Sequence, residues 1–320
     1  MQNVAVKHGS DRVSIARVLL GALLVLSGPY AQAATTVRLP GGICAADDTV
    51  FATGFEPWAG VPSDPSQGSG GAAPGAVTGE VFVPGLGSEP GGRQVFHLHV
   101  PSGYSAATAW PLVIALHGAP GSHAAAVNAA KATRNAWAGV AEAQGFIVAA
   151  PVSSGAAGGW IVPPGAPTDY DALAAILARV AADYNIEQSR IYLWGFSAGG
   201  HVAYDLVVNA SEYATPLNQH DLAGFAVSAG VLATLACQGD TIMQCDARVA
   251  ALPRRLPLDI HIGSSDPLLP YARSDRERFL AHGWQRGSTL GYHEFAGGHT
   301  YSAAQLGATW ATLCRFARGP

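Results

Sequence analysis

Hydrophobic and polar positions change their pattern at about residue 78. From there, short apolar runs alternate with longer stretches in which apolar residues recur every three or four positions. Residues 80–83 and 94–100 predict a pair of strands separated by a Gly- and Pro-rich turn. Residues 111–116 and 145–150 are unbroken apolar runs, as expected of strands buried on both faces. Between them, residues 123–143 are Ala-rich and predict a helix. A second helix opens at Thr168, with Asp171 in the capping-box position. Leu173, Ile176, Leu177, Val180 and Tyr184 then share one helical face. Strands follow at 190–194, 222–227, 258–262 and 289–295, and helices at 198–207, 271–282 and 303–316. This alternation predicts an α/β fold, a mostly parallel sheet with helices on both faces, the two leading strands supplying its antiparallel part.

The first 33 residues have a different character. Lys7, Arg12 and Arg17 precede a short apolar run at 18–26, and Ala31-Gln32-Ala33 is a small-x-small cleavage signal. Together they predict a signal peptide over 1–33, too short in its apolar part for the ~20 residues of a stable membrane span. The protein is therefore expected to be secreted. Residues 34–77 form an N-terminal segment in which Thr49-Val50-Phe51 could be a short strand and 57–77 read as a Gly/Pro/Ser-rich linker. The catalytic domain is expected over 78–320.

Export bears on the cysteines. Cys44, Cys237, Cys245 and Cys314 can all pair in an oxidising compartment, in any of three ways. Cys237 and Cys245 flank a polar turn, which favours that pair and leaves Cys44 with Cys314. No C-x-x-C or other metal-ligand spacing is present, so no metal and no cofactor are expected, and chelators are expected to leave activity intact.

Composition narrows the function. With 49% hydrophobic and 12% charged residues, the chain can bury one sizeable core. Its net charge of −4, about −6 once three cations and one anion leave with 1–33, comes without a basic block. Nucleic acid is thereby excluded as an expected partner, because duplex binding needs clustered Lys and Arg.

The candidate chemistry centres on Gly195-Phe196-Ser197-Ala198-Gly199, between a predicted strand and a predicted helix. Such a turn strains the serine backbone, needs glycines on either side, and lifts the hydroxyl to the sheet edge at a helix N-terminus. Hydrolases with this turn place the acid and then the base later in the chain. Asp266, in Gly263-Ser264-Ser265-Asp266-Pro267, and His299, in Gly297-Gly298-His299-Thr300-Tyr301, each follow a predicted strand. His117-Gly118-Ala119 follows the strand at 111–116, so the backbone N–H groups of Ala119 and Ala198 are the candidate oxyanion donors. Other readings weigh less. Asp275 and Glu277 fall on a helix, His293 within a strand and His201 on the helix after Ser197. The His117 side chain reads as turn packing.

The chain from about 80 to 318 resembles the extracellular esterases grouped with polyhydroxybutyrate depolymerases and feruloyl esterases. The resemblance rests on Leu112-Val113-Ile114-Ala115-Leu116-His117-Gly118, on 183–192 running into Gly195-Phe196-Ser197-Ala198-Gly199-Gly200, on Asp266-Pro267-Leu268-Leu269-Pro270-Tyr271 and on 297–301. It implies the α/β-hydrolase fold and ester hydrolysis through a Ser197–Asp266–His299 triad and an acyl-enzyme. Implied substrates are feruloyl or acetyl polysaccharide esters or short polyesters such as polyhydroxybutyrate. Members with His-Gly-Cys are common where this chain has His117-Gly118-Ala119. With the sequence ending at Pro320, no appended polymer-binding domain is expected. Both points argue against a true polymer depolymerase. A serine peptidase of the same fold would use the same residues, and a non-catalytic surface-binding protein would need none. Trp160, in the Gly- and Pro-rich loop 151–167, is the candidate pocket residue, and 230–255 the other pocket wall.

Overall fold

The computed structural model describes Thr36, Val37, Cys44, residues 63–209, Tyr213 and residues 215–319. The expected signal peptide at 1–33, the short strand at 49–51 and the first part of the linker lie outside the described residues.

The sheet contains β1 (Thr36–Val37), β2 (Gly75–Phe82), β3 (Arg93–Val100), β4 (Thr108–Leu116) and β5 (Ile147–Pro151). It continues with β6 (Ile186–Phe196), β7 (Gly224–Ser228), β8 (Leu258–Gly263) and β9 (Leu290–Phe295). Their order is β2-β3-β5-β4-β6-β7-β8-β9, with β1 paired to the start of β4. Pairing is antiparallel from β2 to β3 and from β3 to β5, and parallel beyond. The helices are α1 (His123–Gln144), α2 (Asp169–Asp183), α3 (Ala198–Asn209), α4 (Ile242–Ala250), α5 (Leu269–Ala281) and α6 (Ala303–Leu313).

The unbroken apolar strands have a simple cause. On β4, Leu112, Ile114 and Leu116 pack with Leu173, Val202 and Phe279 on the α2, α3 and α5 side. Val113 and Ala115 pack with Trp137, Trp310 and Leu313 on the α1 and α6 side. Both faces are covered, so neither can be polar. The second layer is rich in aromatics: Phe146 stacks on Trp310 at 3.8 Å between ring centres, and Trp137 meets Trp194 edge-on at 5.6 Å. Thr168 caps α2 through the predicted capping box with Asp171.

Two regions differ from expectation. Residues 63–71, read as linker, run along the connection into β6. Ser63 Oγ and the Asp64 N–H donate to the Glu187 carboxylate at 2.6 and 2.7 Å, and the Ser66 N–H donates to Ile186 O at 2.8 Å. Buried Glu187 and Asn185 supply the acceptors, a pairing invisible in composition. β2 also starts at Gly75, earlier than the strand read at 80–83. Helix α4 was not predicted. It buries only Cys245 and Val249, while Ile242 and Met243 are 75% and 81% exposed, so much of its apolar arc faces solvent.

Both disulfides are present. Cys44–Cys314 joins the N-terminal segment to the end of α6, and Cys237–Cys245 joins a loop to α4. The short bridge closes a loop between two strands of the sheet, β7 and β8.

Asp275 on α5 is buried, accepts from the Leu232 N–H at 2.9 Å and lies 3.2 Å from Arg278. Burial pushes its pKa up to about 7, against these two partners. The folded chain then holds a proton that an unfolded Asp releases near ~3.9. Stability from this group is present at low pH and is lost as pH rises from about 4 to about 7. Asp275→Asn is expected to flatten that slope, read as the urea midpoint at several pH values. An unchanged slope would show the group ionised throughout.

Candidate active site

Strand β6 enters α3 through the tight turn at Ser197, whose φ of 53° lies in the left-handed region. A side chain at Gly195 would place its Cβ 2.1 Å from Gly199 O, and one at Gly199 2.5 Å from Leu116 O. Only glycine fits on either side of this serine. The Ser197 N–H donates to Ser228 O at 2.9 Å, which fixes the turn to β7.

Asp266 lies just past β8 and His299 just past β9, on loops tied together by Ser264 N–H to Phe295 O and Ser265 N–H to Gly297 O, at 2.7 and 2.8 Å. His299 Nδ1 is 2.8 Å from Asp266 Oδ2, and His299 Nε2 is 2.8 Å from Ser197 Oγ. Asp266 is buried, and its other oxygen accepts from the Leu268 N–H at 2.8 Å. An ionised carboxylate can only accept, so Nδ1 donates to it and Nε2 is left to accept the serine proton. The structure thus brings together three side chains that are 69 and 33 residues apart in the chain.

A cleft of about 300 Å³ opens over Ser197, walled by the Gly118-Ala119-Pro120 loop, Ala129 and Thr133 of α1, Phe196 and Tyr301. His117, beneath that loop, is buried. Its Nδ1–H donates to Gly118 O at 2.5 Å, and Nε2 accepts from the Ser153 N–H at 3.2 Å. Burial drives its pKa down to about 4, so the ring is neutral and holds the loop in place. Trp160, expected in the pocket, is not among the residues lining this cleft. Its indole N–H donates to the His117 carbonyl at 3.0 Å, and the two rings lie 5.0 Å apart. The polar end of the indole is spent on the backbone beneath the 118–120 loop.

Other sequence candidates stand apart. His201 pairs through Nδ1 with Val231 at 3.0 Å. Glu277 pairs with Arg276 at 2.7 Å, and Asp275 faces Leu232. Residues from 230–255 border a different cleft of about 590 Å³, between α4 and α5, with the Cys237–Cys245 bridge and Tyr271 at its edge. That region therefore does not wall the Ser197 cleft. Tyr301 entered the sequence reading only as part of the 297–301 motif, and the Ala-rich face of α1 escaped it because apolar helical positions read as core. A cluster of Asp259, His261 and His293 also escaped it, against the expectation that no ligand spacing exists. The i,i+2 spacing of Asp259 and His261 on a strand was the available signal, but the pairing of β8 with β9 is not written in local sequence.

Residues 97–228, less than half of the chain, match a family model described as BD-FAE. A search of curated proteins finds no significant match. Among solved structures, the chain is similar to a ferulic acid esterase at 12% identity, over 76% of this chain and 98% of that one, with a TM-score of 0.53. A thermostable esterase aligns at 18% identity over 76% and 63% of the two chains, with a TM-score of 0.52. A ferulic acid esterase of the anaerobic fungus Anaeromyces mucronatus aligns at 16% identity over 85% and 97%, with a TM-score of 0.51. These likenesses establish the α/β-hydrolase fold.

Proposed function

We propose that the protein is a secreted serine esterase that hydrolyses carboxylic esters through an acyl-enzyme on Ser197. The observation that carries this reading is the hydrogen-bonded chain from Ser197 through His299 to Asp266, on a turn that holds the serine at a left-handed φ. Ser197 Oγ attacks the ester carbonyl carbon while its proton passes to His299 Nε2. The Ala119 and Ala198 N–H groups hold the oxyanion. Collapse expels the alcohol, which takes the proton from His299. Water then attacks the acyl-enzyme by the same route and releases the acid. Asp266 holds the imidazole tautomer throughout and stabilises its charged form.

The open, shallow cleft favours esters whose alcohol part stays in solvent, such as feruloyl or acetyl groups on polysaccharide or short polyesters. The ferulic acid esterases among the structural neighbours support the ester class. Two disulfides support an oxidising destination, and no helix among the described residues is long and apolar enough to cross a membrane. The test is hydrolysis of p-nitrophenyl esters of rising chain length, methyl ferulate, acetylated xylan and polyhydroxybutyrate. Cleavage of peptides in preference to all of these would favour a peptidase. Absence of fluorophosphonate labelling would favour a binding protein.

Trp160→Phe removes one hydrogen bond under the oxyanion loop without opening the cleft. It is expected to lower kcat by about tenfold with KM little changed, since the bond supports the loop that carries the proposed oxyanion donor, which acts on the transition state. A change in KM alone would place Trp160 in substrate binding. Turnover in EDTA is expected to stay unchanged, because no step needs a Lewis acid.

A further inference from the structure

At the sheet edge, outside the Ser197 cleft, strands β8 and β9 bring three ligating side chains together. We propose that Asp259, His261 and His293 bind one divalent transition-metal ion of the zinc class, which clamps edge strand β9 to β8.

The parallel register sets His261 opposite His293 and Asp259 opposite Gly291, with all four on one face of the pleat. Asp259 Oδ2 is 2.8 Å from His261 Nε2, and Oδ1 is 3.2 Å from His293 Nε2. The three ligand atoms lie within 4.8 Å of one another. The two imidazoles are nearly parallel, 4.4 Å apart and inclined by 23°, so both Nε2 atoms face the same carboxylate.

Two observations separate this arrangement from a plain ion pair. Asp259 Oδ1 is buried and has no hydrogen bond: the His293 nitrogen is near enough but out of line. Metal–ligand bonds of ~2.0–2.2 Å at angles of about 90–110° separate adjacent ligand atoms by roughly 3.0–3.5 Å. The second observation is Gly291, where a Cβ would lie 2.0 Å from Asp259 Oδ1. Bare backbone keeps that oxygen clear. The His261 Nδ1 atom has no partner, so the Nε2 side alone holds this ring.

The donor set selects the ion. Two imidazoles and a carboxylate, with all four cysteines in disulfides, suit zinc better than magnesium or calcium, which take oxygen ligands. The His293 side chain is 45% exposed, which gives an ion a route in and leaves room for water to complete its shell. β8 leads to Asp266 and β9 to His299, so the clamp steadies the two loops without touching the reacting atoms.

The test uses the full secreted chain, stripped with EDTA and dialysed. Zinc chloride titrated by calorimetry is expected to bind with one equivalent per chain, and saturating zinc to raise Tm by several degrees. Cobalt(II) is expected to give the visible d–d bands of a low-coordinate site. His293→Ala, at a half-exposed position that folding tolerates, is expected to lose the site, weakening binding by at least about tenfold. His293→Gln serves as a second variant. No binding heat and no Tm shift in the wild type would overturn the proposal. So would zinc binding unchanged by both variants, since the ion would then sit on other histidines. Ester hydrolysis by the zinc-free protein is scored separately, so failure of the clamp leaves the esterase reading standing, and the reverse.

Discussion

Ser197→Ala is expected to lower ester hydrolysis by about four to six orders of magnitude while the protein folds and melts almost as before. The loss is large because the hydroxyl is both the attacking atom and the source of the first proton. The fold should be indifferent because Ala has the same Cβ at the strained φ of 53°, and the lost hydrogen bond is at a solvent-accessible imidazole. His299→Ala should cost a similar amount, and the double variant hardly more than either, since the residues act as one unit. Single-turnover hydrolysis of a p-nitrophenyl ester with trapping of the acyl-enzyme measures this. Turnover by Ser197→Ala within tenfold of wild type would remove Ser197 from the mechanism. Additive losses in the double variant would break the proposed relay.

The second large effect concerns the long disulfide. Replacing Cys44 and Cys314 together by Ser is expected to cost about 3–5 kcal/mol, because the bridge closes a loop of 270 residues and so restricts the unfolded chain strongly. For a chain of this size that is a fall in Tm of roughly 10 °C. Both sulfurs are buried in the layer that holds Trp310 and Phe146, so the serines would add a polar burial cost of their own. The pair Cys237→Ser and Cys245→Ser spans only 8 residues and should cost less, about 2 kcal/mol. Urea unfolding without reductant ranks the two. Equal losses would mean that native packing, and not chain restriction, sets the contribution.

What could be read in advance was what local pattern determines. Apolar runs and helical periodicity located eight of the described strands and five of the six described helices, because each buries its own apolar positions. The turn at Ser197 was legible because the glycines beside it answer a steric demand that no other residue meets. Asp266 and His299 were legible because both follow strands that end at the same edge of a parallel sheet. The remainder depends on partners distant in sequence. Residues 63–71 look like linker until Glu187 and Asn185 supply acceptors. Trp160 looks like a pocket aromatic until the His117 carbonyl takes its N–H. Helix α4 spans only nine residues, too few for a helical period to stand out from the sequence.

The Cys44–Cys314 bond has a further consequence, one of connectivity. It turns nearly the whole folded chain into a covalent ring. A protease that cuts once in a surface loop between these two cysteines opens the ring but releases no fragment. The halves remain one molecule, joined through sulfur at one end and held by the shared sheet along its length. A chain built this way meets proteases as a closed loop, and needs two cuts, or one cut and a reductant, before any piece of the ring can diffuse away.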